Sequence, residues 1–165
     1  MILPVLQYPD PRLTLKAQAV SEITPKIRTL AADMAETMYA RDGVGLAAPQ
    51  VGESLRLVVM DMTGPDERSD LRVLINPLIV LSGEEVEAEE GCLSVCDYSA
   101  KVARREFARV EALDLDGHHQ VFDAQGRMAV CVQHECDHLD GVLFIDRLSR
   151  LKRGMLDRRL QKKKI

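Results

Sequence analysis

From residue 24 the chain reads "TPKIRTLAADMAETMYARDG", and Ile27, Leu30, Met34 and Met38 fall on one face of a 3.6-residue period. Thr24 suits an N-cap and Pro25 the first helical position, so the pattern predicts an amphipathic helix turned toward a core. Gly43, just past the last periodic residue, is the expected left-handed stop. "GVGLAAPQVG" (43–52) reads as a glycine-rich loop. Two runs of branched apolar residues, "LRLVVMDM" (55–62) and "LRVLINPLIVL" (71–81), read as strands, with Pro77 at an edge or bulge. An acidic stretch, "EEVEAEEG", leads into "CLSVCDYSA". "FARVEALDLDG" (107–117) alternates with period two and ends at Asp116-Gly117, a hairpin signal, and "HHQVFDAQG" (118–126) is expected to return beside it. A helix is predicted from near Met128 through "CVQHECDHLDG" (131–141). "VLFIDRL" then leads to a final basic helix, interrupted by Gly154. No βαβ rhythm is present. The expected class is α+β, with mixed or antiparallel strands around a central helix and further helices toward each terminus.

Composition changes this picture little. The length of 165 residues suits one domain, 1–165. Tryptophan is absent, so the core must rest on Leu, Val, Ile, Met and Ala. No apolar run approaches a membrane span, and "MILPVLQYPDPRL" does not read as a signal peptide. A cytoplasmic protein with four reduced cysteines, thiols or ligands rather than disulfides, is expected. Charge adds more. Residues 147–165 hold nine Lys/Arg and one Asp, a local +8 against a total of −4, leaving −12 on the remainder. Such a tail is a solvated helix end or a nucleic-acid contact without sequence specificity. Leu148, Leu151, Met155 and Leu160 are its expected packing positions.

The chemistry starts at His134-Glu135-Cys136-Asp137-His138. At about 100° per residue, the two histidines project about 40° apart on one helical face and can converge on one cation. Glu135 is offset enough not to compete as a ligand, yet near enough to reach a water on the ion, the requirement of a metal-dependent hydrolase. Cys136 falls on the opposite face and is expected in the core. Cys131 is a turn early, better placed to line an adjacent pocket. His118 and His119 come just after a turn and are expected exposed. Cys92 and Cys96 remain as candidates for a third ligand, and spacing does not choose between them.

Three stretches together resemble the peptide deformylase family: "GVGLAAPQ" (43–50), "EGCLS" (90–94) and "QHECDHLDG" (133–141), in the family's order and at about its spacing. "YPDPRL", "LINP" and "GVLFID" also fit. The resemblance implies Cys92, His134 and His138 as ligands of one divalent ion, most often Fe(II), with zinc, nickel or cobalt accepted. It implies removal of the formyl group from N-formylmethionyl nascent peptides, with release of formate. Glu135 would be the general base and acid, and Gln50 and the backbone N–H of Leu93 would stabilise the oxyanion. Val44 and Gly45 would offer backbone hydrogen bonds to the peptide, and Val130 and Cys131 would wall the methionine pocket. Glu90 is expected to pair with Arg104, and Asp137 to act in a salt bridge. Because the substrate emerges from the ribosome, the basic tail becomes a candidate ribosome contact.

After "EGCLSV" the family usually has proline and often a basic residue beyond it. This chain has Cys96-Asp97-Tyr98-Ser99, which alters the substrate-side wall and not the metal chemistry. A general H-E-x-x-H peptidase leaves "EGCLS" unexplained. A non-catalytic metal-binding relative is the alternative, disfavoured by the retention of Glu135, Gln50 and Cys92. "GVGLAA" fits a dinucleotide fingerprint only superficially, because a helix precedes it and Pro49 interrupts the position where the next helix should begin.

Overall fold

The computed structural model describes residues 1–163; Lys164 and Ile165, part of the basic 147–165 stretch, lie outside the described residues. The helix α1 spans Pro25–Ala40, capped by Thr24, whose side chain accepts from the Ile27 N–H. Ile27, Met34 and Met38 are buried along it, as the period demands. Its stop differs from expectation: Asp42, not Gly43, takes the left-handed conformation, at φ 57°. Gly43 instead sits tightly packed, where an added Cβ would lie 3.0 Å from Leu93 Cδ1.

Strands β1 (Gly45–Ala47), β2 (Leu57–Met60), β3 (Arg72–Cys92), β4 (Val95–Leu113) and β5 (His119–Gln125) form one sheet in that order. Every neighbouring pair is antiparallel, so the mixed alternative is corrected; the parallel contact is an isolated bridge, Gln18 to Leu55. The stretch read as a loop, 43–52, is another correction. It supplies β1 and then a 3-10 turn, Ala48–Val51, because Leu46, Ala47 and Ala48 are fully buried and need paired backbone. A short helix, α2 (Gly64–Glu67), comes after β2. The acidic stretch before Cys92 is the far half of β3, paired with β4 in a long ribbon whose register shifts beside Pro77, near Gly83 and at Gly91.

All four residues of β2 are buried because both faces of the sheet are covered there. Leu57 and Val59 pack toward α1 with Ile27, Met34 and Met38. Val58 and Met60 pack toward the second long helix, α3 (Gly126–Leu139), against Ala129, Val132 and Leu139. That helix starts at Gly126 rather than Met128. Gln133 fastens it to β4, donating to the Arg105 carbonyl and accepting from the Arg105 N–H.

The last helix, α4 (Arg150–Lys163), runs unbroken through Gly154. Its packed face is Leu156, 2% exposed, and Leu160, joined by Leu148 just before the helix, against Leu13, Val95 and Phe144. Leu151 and Met155, expected to pack, are 70% and 58% exposed. The approach angle is set by polar contacts that spacing does not reveal. Arg153 donates to Tyr8 Oη and pairs with Asp146, and the Tyr8 hydroxyl donates to Asp157. Among the described residues no helix is long and apolar enough to cross a membrane.

Candidate active site

The helix α3 brings His134 and His138 to the end of the long ribbon, and the β3–β4 turn lowers Cys92 onto them. Donor atoms of Cys92, His134 and His138 all lie within 4.8 Å of one another, and Cys92 Sγ is 3.3 Å from His138 Nε2. Cys96, the other candidate by spacing, is exposed, its thiol near the Leu93 carbonyl. Cys136 is buried in the core, His118 and His119 are exposed, and all four cysteines are free.

Each imidazole is oriented differently. His134 Nδ1 is 2.8 Å from Glu90 Oε1, which leaves Nε2 toward the site, 3.8 Å from Glu135 Oε1. Glu90 is gripped in turn by Arg104, through Nε at 2.6 Å and Nη2 at 2.8 Å, with both side chains almost fully buried. Arg104 also reaches Asp137 at 2.7 Å, and Asp137 takes two further bonds from Arg147. His138 is completely buried. Burial and the charges of His134 and Arg104 hold it well below the ordinary imidazole value, so it stands as a neutral donor. Burial opposes charge on His134, but Cys92, Glu90 and Glu135 outweigh it and lift the ring to about 10. The surroundings therefore favour positive charge at that point, which a divalent cation supplies in place of a proton. One soft sulfur and two imidazoles suit iron, zinc, nickel or cobalt, so the residues fit such an ion.

Glu135 lies on the same helix, buried, with Oε2 lacking any hydrogen-bond partner. Burial is the main reason its carboxyl rises to about 7, with His134 pulling the other way. Gln50 is held by the Ala47 N–H on Oε1, so its amide nitrogen faces inward, 3.5 Å from Cys92 Sγ and 3.1 Å from Ser94 Oγ. Ser94 had no role assigned from sequence. Here it positions two site groups, since its own N–H also donates to Cys92 Sγ. A polar residue two places beyond Cys92 in an otherwise apolar turn was the available signal. A cleft of about 1180 Å³ leads to these groups, with Val44, Gly45, Leu93, Val130 and Cys131 on its walls.

Gly45 is where β1 crosses Glu135. A Cβ added there would come within 2.9 Å of Cys131 Sγ and 3.1 Å of Glu135 Cγ and Oε1. Gly45→Ala is expected to reduce turnover by about tenfold or more while costing only about 1–3 kcal/mol of stability, the usual range for overpacking. Parallel measurement of kcat and urea midpoint checks this.

The family model for polypeptide deformylase matches residues 2–154. A peptide deformylase of Neisseria gonorrhoeae is 49% identical over 162 residues, 98% of this chain and 96% of that protein. The structure of a peptide deformylase from Legionella pneumophila superposes with a TM-score of 0.93 at 46% identity, covering 99% and 96% of the two chains. A peptide deformylase from Ehrlichia chaffeensis in complex with actinonin gives 0.91 at 40% identity, covering 98% and 97%.

Proposed function

The chain belongs to the peptide deformylase family, and we propose that Cys92, His134 and His138 hold the divalent ion with which this hydrolase removes formyl groups from N-formylmethionyl nascent peptides. The observation that carries the reading is Glu135: a buried carboxylate with an unpartnered oxygen, one residue from His134 and at the end of an open cleft. When bound, the ion supplies Lewis acidity, acidifying a water and polarising the formyl carbonyl. Fe(II) is the native ion on this reading, with zinc, nickel and cobalt able to substitute.

The rest is the work of the chain. Glu135 accepts a proton from the attacking water; its raised affinity for protons suits it to hold that proton and then deliver it to the departing amine. Gln50 Nε2 and the backbone N–H of Leu93 donate to the oxygen that gains charge as the formyl carbon becomes tetrahedral. The free edge of β1, at the end of the sheet, offers the backbone of Gly45 to an extended peptide, together with the N–H of Val44 just before it, whose carbonyl already accepts from the Asp61 N–H. Val130 and Cys131 shape the adjoining pocket for methionine. Collapse of the tetrahedral carbon releases formate and a free N-terminus. Formate release from a formyl-Met peptide, by protein purified without oxygen and loaded with iron, tests the reading. No formate under those conditions would overturn it.

The whole chain acts as one catalytic domain in the cytoplasm, and α4 takes it to the ribosome. Arg153 is occupied by Tyr8 and Asp146, but Arg150, Lys152, Arg158, Arg159 and Lys162 are exposed. Phosphate contacts through such a row are salt-dependent. Replacing Arg158, Arg159 and Lys162 by Ser is expected to abolish ribosome co-sedimentation at low salt and leave formate release from short peptides unchanged. Equal sedimentation of variant and parent would exclude this role.

A further inference from the structure

The two donors assigned to the developing oxyanion come from different elements: Gln50 from the 3-10 turn Ala48–Val51, and the Leu93 N–H from the turn between β3 and β4. Among the described residues no main-chain hydrogen bond joins those two turns. The N-terminal segment spans them instead. The Leu6 N–H donates to the Gln50 carbonyl at 2.7 Å, the Gln7 side-chain amide to the Leu93 carbonyl at 2.8 Å, and the Tyr8 N–H to the Ser94 carbonyl at 2.7 Å. Three consecutive residues thus hold the three residues that form or orient the oxyanion site. The segment is itself anchored. Val5 is buried, and the Tyr8 hydroxyl is fixed to α4 through Asp157 and Arg153. Gln7 is exposed, so its side chain is not placed there by packing. Its second contact, with the Val5 carbonyl, is much longer at 3.4 Å. The Cys96 thiol also approaches the Leu93 carbonyl, but at 3.8 Å it is the weaker partner of that oxygen.

We propose that Gln7 is a positioning residue of the oxyanion site, acting through the Leu93–Ser94 peptide unit; the proposal rests on the deformylase reading of the site. A peptide unit is planar and trans, so a bond on its oxygen aims its N–H the opposite way. Here Gln7 holds the oxygen, and the Ser94 N–H donates to Cys92 Sγ at 3.4 Å. The next peptide unit is held through its own oxygen by Tyr8, and on the other side Cys92 is paired with Val95 across the ribbon. Leu93 lies between two fixed neighbours and keeps little rotational freedom. Its own N–H donates to no protein group among the described residues, and Leu93 lines the cleft. A water in place of the Gln7 amide would satisfy the carbonyl without tethering it. The amide therefore contributes through orientation more than through stability. A donor already aimed at the point where charge develops needs no reorganisation when the formyl carbon becomes tetrahedral. Such a contribution is read in kcat and not in KM, because the ground-state carbonyl gains little from it.

The test compares the parent, Gln7→Met and Gln7→Lys, all full-length and iron-loaded without oxygen, on formyl-Met-Ala-Ala. Methionine keeps the reach of the side chain but has no donor. Lysine keeps an N–H donor on a flexible stem, with room to adjust at an exposed position. Gln7→Met is expected to lower kcat by about three- to tenfold, the effect of one hydrogen bond, with KM, ion content and urea midpoint unchanged. A peptide carrying a tetrahedral phosphonate in place of the formyl group should bind Gln7→Met more weakly by the same factor, while the product Met-Ala-Ala binds it as it binds the parent. Gln7→Lys should keep kcat within about twofold of the parent. An unchanged kcat in Gln7→Met, with formate released by the parent, would overturn the proposal and leave the deformylase reading standing. A fall in kcat that Gln7→Lys shares in full, or that comes with an earlier urea midpoint, would also overturn it, since the residue would then serve the fold. No formate from the parent would overturn both.

Discussion

Glu135→Gln is expected to lower kcat/KM for a formyl-Met peptide by about 10²-fold or more, with one ion per chain still bound. Glutamine keeps the volume and one oxygen of the side chain but has no site for the water's proton. Stability should move the other way. A carboxyl whose folded value is raised to about 7 from 4.5 binds protons more tightly in the folded chain. Its contribution therefore weakens as pH rises through that interval. The glutamine variant lacks this penalty, so at pH 7 it should unfold in urea no earlier than the parent. Near-normal turnover with the ion in place would mean that another group takes the proton.

Arg104→Met is expected to cost about 3–5 kcal/mol of folding stability, because it leaves Glu90 buried beside His134 without its main partner. Burial opposes charge on Glu90, but Arg104 and His134 hold its carboxyl below the ordinary 4.5. The stabilisation is complete above about 4.5 and disappears as pH falls through the lower folded value. The double change Arg104→Met, Glu90→Leu removes both charges and should recover much of the loss. It does not restore an acceptor for His134 Nδ1, so metal affinity should remain about 10- to 100-fold weaker. Urea denaturation and a chelator competition, run on the same proteins, separate the two effects. If the double variant is no more stable than the single one, the cost lies in packing and not in stranded charge.

Much of the site was legible because its chemistry is short-range in sequence. His134 and His138 lie one helical turn apart, and that geometry alone turns both toward one point. The choice of Cys92 over Cys96 was not legible from spacing. It depends on a register shift at the end of the ribbon that sends one thiol inward and the next outward. The alternating strands and the Thr24-capped helix came from period and capping. The loop expected at 43–52 became a strand because burial, which glycine content does not report, required backbone pairing. Leu151 and Met155 missed the core because helical period gives a face but not its tilt. Arg153 and Tyr8, almost the full chain apart, set that tilt.

The close approach at Gly45 limits which escape routes a population of cells has against a compound seated in the cleft. Resistance commonly arises when a wall residue enlarges and excludes a drug. At position 45 any larger side chain strikes Glu135 and Cys131 first, so the organism would lose turnover together with the drug. A compound whose contacts are weighted toward the Gly45 backbone leaves resistance to arise at Val44, Val130 or the turn around Asp97, where side chains line the same cleft.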